Sequence, residues 1–250
     1  MVFDVDGTLV DSERHGHRVA FNEAFAEAGL PYRWSEREYG ELLTIAGGAR
    51  RLASYLRDRG HQDADRLAED LHRRKTDIFT ARCAEGAVPA RPGVERLLRA
   101  LRETGTTLAV ATTGTRTWVE PLLDRVFGRD VFSAVVTGTE MTALKPEPDA
   151  YREVLRQLEI PAREAVAVED SRNGLVSARA AGLVCLAVTN GYTRHHDLHE
   201  AALIADGFGA PGTAEVLAGP ASALPHRAVT PCTFGFLLAA GRADAPPTTS

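Results

Sequence analysis

Between positions 91 and 188 the chain alternates short apolar runs with stretches of helical periodicity, and this alternation narrows the fold more than any other feature. Leu108-Ala109-Val110-Ala111 and Ala165-Val166-Ala167-Val168 carry no polar residue at every second position. A strand with one wet face alternates; a strand that does not has both faces covered by helices, which implies a parallel sheet. The spacing predicts helices over 94–102, 117–126, 148–158 and 171–181, with strands over 107–112, 132–136, 165–168 and 183–188. The expected class is α/β, a doubly wound parallel sheet. Ligands of such sheets lie beyond the strands' C-terminal edges.

Positions 12–90 lack strand character. Phe21, Ala24, Phe25 and Ala28 recur at helical spacing, with Gly29 as a stop. Further helical stretches are expected over 36–43, 49–59 and 65–82. The predicted organisation is a Rossmann-like catalytic core from 1–11 and 91–218, a helical cap from 12–90, and a flexible tail over 219–250, where Ala, Pro, Thr and Ser dominate without periodicity.

With 250 residues, 44% of them hydrophobic, the chain can bury a sizeable core. A net charge of -5 supplies no broad cationic field, so neither nucleic acid nor an anionic membrane is an expected partner. Cys83, Cys185 and Cys232 are odd in number and far apart, which fits neither a disulfide framework nor a zinc ribbon. The apolar runs are too short to span a bilayer. We expect a cytoplasmic monomer.

The chemistry concentrates where strands end. Asp4 and Asp6 lie two apart after an apolar lead-in, so a strand directs both carboxyls to one side, and Gly7 lets the chain turn. Thr112 ends a strand, and with Thr113 it offers hydroxyl and backbone N–H donors to phosphate oxygens; capping of the next helix is the plainer reading. Lys145 occupies a Pro-rich turn from which it can reach the sheet edge. Glu169 and Asp170 terminate another buried strand, and crowded carboxylates there call for a cation. A hard divalent ion such as Mg²⁺ suits few carboxylates, waters and phosphate oxygens.

With Asp4-Val5-Asp6-Gly7-Thr8, Thr112, Lys145 and Glu169-Asp170 in this order, the chain resembles the haloacid dehalogenase-like hydrolases over about positions 1–215. The resemblance implies that Asp4 is a nucleophile forming an aspartyl-phosphate and Asp6 a general acid/base, protonated at the outset. Thr112 and Lys145 would hold the transferring phosphoryl. Asp4, the Asp6 carbonyl and Asp170 would bind Mg²⁺, with Glu169 in support. Relatives that cleave carbon–halogen bonds lack the second aspartate, so its presence favours phosphate chemistry.

The cap is expected to select the substrate. Val10-Asp11-Ser12-Glu13, the run from Gly16 to Asn22, Tyr39-Gly40-Glu41, Gly47-Gly48, the run from His72 to Thr76, and Tyr192-Thr193-Arg194 resemble the CbbY-type sugar-phosphate phosphatases. That group includes xylulose-1,5-bisphosphate phosphatase. The implied substrate is a small sugar phosphate, xylulose 1,5-bisphosphate first. A β-phosphoglucomutase-like transfer, phosphoglycolate hydrolysis and a non-catalytic sugar-phosphate sensor are the alternatives. Glu13 and His17, four apart, either hydrogen-bond sugar hydroxyls or steady a helix end. Gly47 and Gly48 allow a tight loop with open N–H groups. Arg50, Arg51, Lys75, Arg116 and Arg194 are candidates for a second phosphate, each also readable as surface charge. Ala49 stands where CbbY-type chains commonly carry lysine, which leaves two readings: Arg50 or Arg51 substitutes for it, or the preferred sugar differs.

Overall fold

The computed structural model describes residues 1–45 and 47–243. Strands β1 (Val2–Phe3), β2 (Ala109–Ala111), β3 (Ala134–Val136), β4 (Val166–Glu169), β5 (Val184–Val188), β6 (Leu203–Ala205) and β7 (Val216–Ala218) form one sheet in the order β3-β2-β1-β4-β5-β6-β7. All pairings are parallel except β6 with β7. This is an α/β, doubly wound, Rossmann-like sheet, with β1 at the point where strand order reverses.

The pleat sorts the apolar runs onto two faces. Phe3, Val110, Val168 and Leu186 enter one cluster, which also takes in Leu97 and Leu101 of α5 (Val94–Glu103) and Val119 and Leu122 of α6 (Arg116–Phe127). Val2, Ala109, Ala167 and Cys185 enter the other, with Tyr151 and Val154 of α7 (Asp149–Leu158) and Leu175 of α8 (Arg172–Ala180). Every strand that carries a proposed chemical group is thereby fixed from both sides. Strands β2, β3 and β5 start one or two residues later than expected, at the edge away from the site, and β4 runs one residue further, through Glu169.

Between Val10 and Ala90, which form an isolated antiparallel bridge, the chain is helical. After a π turn at Glu13–His17 come α1 (Arg18–Glu27), α2 (Glu36–Leu42), α3 (Gly48–Arg57) and α4 (Ala64–Glu85). They enclose their own cluster, with Phe21, Phe25, Trp34, Tyr39, Tyr55 and Leu71 buried. One side of this bundle is continuous with the main core: Phe79 of α4 meets Trp118 of α6 edge-on at 5.0 Å between ring centroids.

The flexible-tail expectation fails for residues 219–243. After β7, helix α9 (Pro231–Ala243) lays Phe234 and Leu237 into the main core at 1% exposure each. The segment's Ala- and Thr-rich composition concealed that two bulky residues three apart suffice to seat one helical face. The rest of the proposed tail, 244–250, lies outside the described residues. Among the described residues no helix is long and apolar enough to cross a membrane.

Candidate active site

Asp4 leaves β1 at the C-terminal edge of the sheet, its backbone N–H donating to the Val168 carbonyl at 3.0 Å. The chain then turns at once. Gly7 takes φ +76°, a left-handed conformation, and its N–H closes the turn on the Val10 carbonyl at 2.9 Å. A side chain there would meet Asp170 Oδ2 at 2.4 Å, so only glycine lets this turn lie against the neighbouring carboxylate.

Lys145 sits at the middle of the edge. Its Nζ donates to Asp4 Oδ1 at 2.7 Å, Glu169 Oε1 at 2.5 Å and the Ala111 carbonyl at 2.8 Å. Although burial disfavours the ammonium, Asp4 and Glu169 outweigh it and keep Lys145 charged. Glu169 also accepts from the Tyr151 hydroxyl at 2.6 Å, and its second oxygen is buried above Gly174 without a hydrogen-bond partner. A Cβ on Gly174 would fall 1.8 Å from that oxygen. Asp170 accepts from Asn190 Nδ2 at 2.6 Å and more distantly from the Thr8 hydroxyl at 3.4 Å.

Oxygens of Asp4, Glu169 and Asp170 all lie within 4.8 Å of one another. Three carboxylates facing one ammonium leave negative charge uncompensated. Burial, then the neighbouring carboxylates, push Asp170 up to about 7, and Asp4 is raised well above its ordinary value for the same reasons despite Lys145. Deficit of positive charge, an orphaned buried oxygen and all-oxygen donors together fit a hard divalent cation. The Asp6 carboxyl is not in this cluster. It faces the cap, where Oδ1 lies 3.3 Å from His17 Nε2. Burial would raise Asp6, but His17, Ser12 and Lys75 hold it below the usual range, so without a bound phosphate this carboxyl favours its ionised form.

Above the edge lies a cavity of about 620 Å³ between core and cap. Asp4, Asp6, Thr113 and Lys145 form its floor, with Glu13, Gly47 and Arg51 among the cap residues. Glu13 Oε2 accepts from the Tyr39 hydroxyl at 2.6 Å. Arg51, only 8% exposed, donates from Nε to the Leu42 carbonyl at 3.0 Å and lies 5.5 Å from the Tyr39 ring. Gly48 opens α3 beside His72, with Gly47 preceding it at φ +87°.

Several expected ligands are placed otherwise. His17 does not line the cavity; its Nδ1 lies 2.8 Å from Lys75 Nζ and its ring packs on Phe79 at 3.9 Å. His17 and Lys75 thus bear on Asp6 rather than on open space, and burial brings Lys75 down to about 8. Arg116 points away, bonded to Glu140 Oε1 at 2.6 Å and to Glu120. Arg50 and Arg194 are exposed and not among the cavity's walls. The Thr112 hydroxyl accepts from the Gly114 N–H at 3.1 Å, a bond within the turn that precedes α6, whose N-cap is Thr115 and not Thr112.

Sequence reasoning missed Tyr151, Asn190 and Arg91. Arg91, 8% exposed, donates to the carbonyls of Gly7 at 2.6 Å, Val188 at 3.0 Å and Thr189 at 2.6 Å. Its position beside Pro92-Gly93, at the return from cap to core, was the available signal. Tyr151 carried none, being one apolar-face residue of an amphipathic helix.

A model of the haloacid dehalogenase-like hydrolases matches residues 1–182. CbbY of Cereibacter sphaeroides is 43% identical over 211 residues, 83% of this chain and 91% of the relative. The crystal structure of a CbbY mutant from Rhodobacter sphaeroides in complex with xylulose-(1,5)bisphosphate superposes with a TM-score of 0.70 at 42% identity, covering 84% of this chain and 95% of that one. β-Phosphoglucomutase from Clostridium difficile shares the fold at 18% identity and a TM-score of 0.60, covering 82% and 89%. The aspartates that close β1, the lysine between two carboxylates and the acidic pair that closes β4 therefore fall within a matched span, and the chain belongs to the haloacid dehalogenase-like hydrolases.

Proposed function

We propose that this hydrolase is a Mg²⁺-dependent phosphatase of small sugar phosphates that works through a phosphoryl ester on Asp4, with xylulose 1,5-bisphosphate as its substrate. The observation that carries the reading is the buried Asp4–Lys145 pair at 2.7 Å on the floor of a cavity whose opposite wall holds Glu13 and Arg51. Support for the sugar comes from the ligand-bound CbbY relative.

A carboxylate that attacks a phosphate dianion meets like-charge repulsion. Lys145 orients one Asp4 oxygen and offsets its charge, which leaves the other oxygen for attack on phosphorus. The ester oxygen of the sugar departs as the Asp4–phosphorus bond forms, and it needs a proton. Asp6 is the nearby donor: a bound phosphate dianion raises its proton affinity and so opposes the effect of His17 and Lys75. In the second half, Asp6 takes a proton from the water that attacks the phosphoryl ester, and Asp4 is released with inorganic phosphate. Asp4, Asp170, the Asp6 carbonyl and, in support, Glu169 would hold Mg²⁺, which when bound supplies charge compensation for nucleophile and phosphate. Glu13 and Arg51 would bind the sugar hydroxyls and the distal phosphate, on the side away from the chemistry.

The test is phosphate release by purified protein with Mg²⁺ on xylulose 1,5-bisphosphate, glucose 1-phosphate and 2-phosphoglycolate, with Asp4→Asn as control. The bisphosphate is expected to give the highest kcat/KM, with release abolished in the variant. Preference for either monophosphate overturns the substrate, isomerised sugar phosphate overturns hydrolysis, and turnover by the variant overturns the ester.

A further inference from the structure

The turn after β5 links the carboxylate centre to the cap. Asn190 donates from Nδ2 to Asp170 Oδ2 at 2.6 Å and to the Gly7 carbonyl at 3.2 Å. Its Oδ1 accepts from the backbone N–H of Tyr192 at 2.8 Å and of Thr193 at 3.2 Å. One amide therefore fixes the turn to the site floor on one side and aims Tyr192 on the other. Arg91, through Thr189 and Gly7, holds the same turn from the cap's return strand.

Tyr192 leaves the core and rests on the cap. Its ring meets Tyr39 of α2 edge-on, with centroids 6.0 Å apart and planes at 87°. A methyl group built on Gly40 would sit 3.2 Å and 3.3 Å from two carbons of the Tyr192 ring. Tyr39 in turn holds Glu13. Besides the His17–Asp6 contact, two aromatic contacts seat the cap. One is the apolar Phe79–Trp118 contact, continuous with the main core; the other, Tyr192 under α2, stands at the cavity wall. The Tyr192 hydroxyl is buried with no hydrogen-bond partner, whereas its ring makes the contacts just described.

We propose that Tyr192 is a positioning residue whose ring seats α2 over the cavity, so that Glu13 and its neighbours close on a substrate reaching up from the carboxylate floor. The inference rests on the function proposed above. It assigns Tyr192 an effect on enclosure of a long substrate, through packing and not through its hydroxyl.

Steady-state kinetics on xylulose 1,5-bisphosphate and on p-nitrophenyl phosphate, which has no distal group for the cap, test this. Tyr192→Ala is expected to raise KM for the bisphosphate about tenfold with kcat changed less than about twofold, and to leave KM for the aryl phosphate nearly as it was. Tyr192→Phe is expected to match the wild type. Gly40→Ala crowds the ring and is expected to raise KM likewise, an effect that vanishes in the Tyr192→Ala background because the pair acts as one contact. Its melting temperature is expected not to fall, since alanine is the better helix former. An unchanged KM in Tyr192→Ala, damage by Tyr192→Phe equal to that by Tyr192→Ala, or additive effects of the pair would overturn the proposal. Hydrogen exchange supplies a readout apart from turnover: amides of 36–42 are expected to exchange faster in Tyr192→Ala. If the wild type releases phosphate from neither substrate, the proposed function fails, and the exchange result alone still decides the docking role; equal exchange in both proteins overturns it.

Discussion

On the core side of the cavity each charged group is held by partners from several strands: Lys145 alone joins the ends of β1, β2 and β4 through Asp4, Ala111 and Glu169. On the cap side the polar groups that line the cavity hang from fewer supports, all within the cap, Arg51 from the Leu42 carbonyl and Glu13 from the Tyr39 hydroxyl. The floor is built for one geometry, because phosphoryl chemistry leaves no choice of distance. The ceiling's supports lie within the cap, so a change there is expected to leave the contacts of Lys145 in place.

The sharpest way to break this contrast is to touch the floor. Asp4→Asn is expected to lower phosphate release by at least about 10³-fold while leaving the melting temperature unchanged or higher, since it removes charge from a crowded cluster. Activity assay and calorimetry on one sample check both. Lys145→Met is expected to lose activity and, by leaving buried carboxylates without their ammonium, to destabilise the fold by about 3 kcal/mol or more. Denaturant melts with and without Mg²⁺ read this, and the cation is expected to recover part of the loss.

The charge deficit on the floor has a sign in pH. Asp170 rises from 3.8 to about 7 on folding without metal, burial being the main cause. The folded state therefore holds a proton that the unfolded chain has released, and metal-free stability is expected to fall as pH rises from about 4 through 7, with the cost complete above that. Asp170→Asn is expected to flatten this slope, and Mg²⁺ to bind more weakly below pH 7 because protons compete for the same oxygens. Urea melts across that range measure it.

On the ceiling, Arg51→Ala is expected to raise KM for a bisphosphate about tenfold and to change kcat far less, since the group is proposed to bind away from the reacting bond. An equal loss in kcat would erase the distinction between floor and cover. The smallest effect lies outside both. Glu140, held at about 2 by Arg116 and Thr137 against the opposing effect of burial, stabilises the fold above its unfolded value near 4.5, and that contribution is lost as pH falls through 2. The pair is about a third exposed and screened by solvent, so Glu140→Gln is expected to cost less than about 1 kcal/mol at pH 6, read by the same melts.

The floor was legible in the sequence because its chemistry is tied to strand ends: Asp4, Asp6, Lys145, Glu169 and Asp170 each follow or face an apolar run. The ceiling was read less well. Spacing put Glu13 and His17 on one face, yet the structure sends one to the cavity and the other to Asp6 and Lys75, since only packing against Phe79 decides which way an imidazole turns. Arg116 shows the limit of charge alone: as one of five cations it was a candidate for a second phosphate, and two glutamates took it instead. Strands β6 and β7 are no shorter than β2 and β3, which were read, but no helix separates them, so the strand–helix alternation that exposed the others is missing there.

Gly174 lies in the first turn of α8, where alanine would strengthen the helix by up to about 1 kcal/mol. No side chain fits, because the carboxylate of Glu169 occupies that volume. The helix therefore forgoes rigidity it could have had, and its weakest position is set by an acid one strand away. Attempts to thermostabilise this protein by replacing helical glycines would find here a change that any backbone-based ranking favours and that displaces the acidic pair on which turnover is proposed to depend.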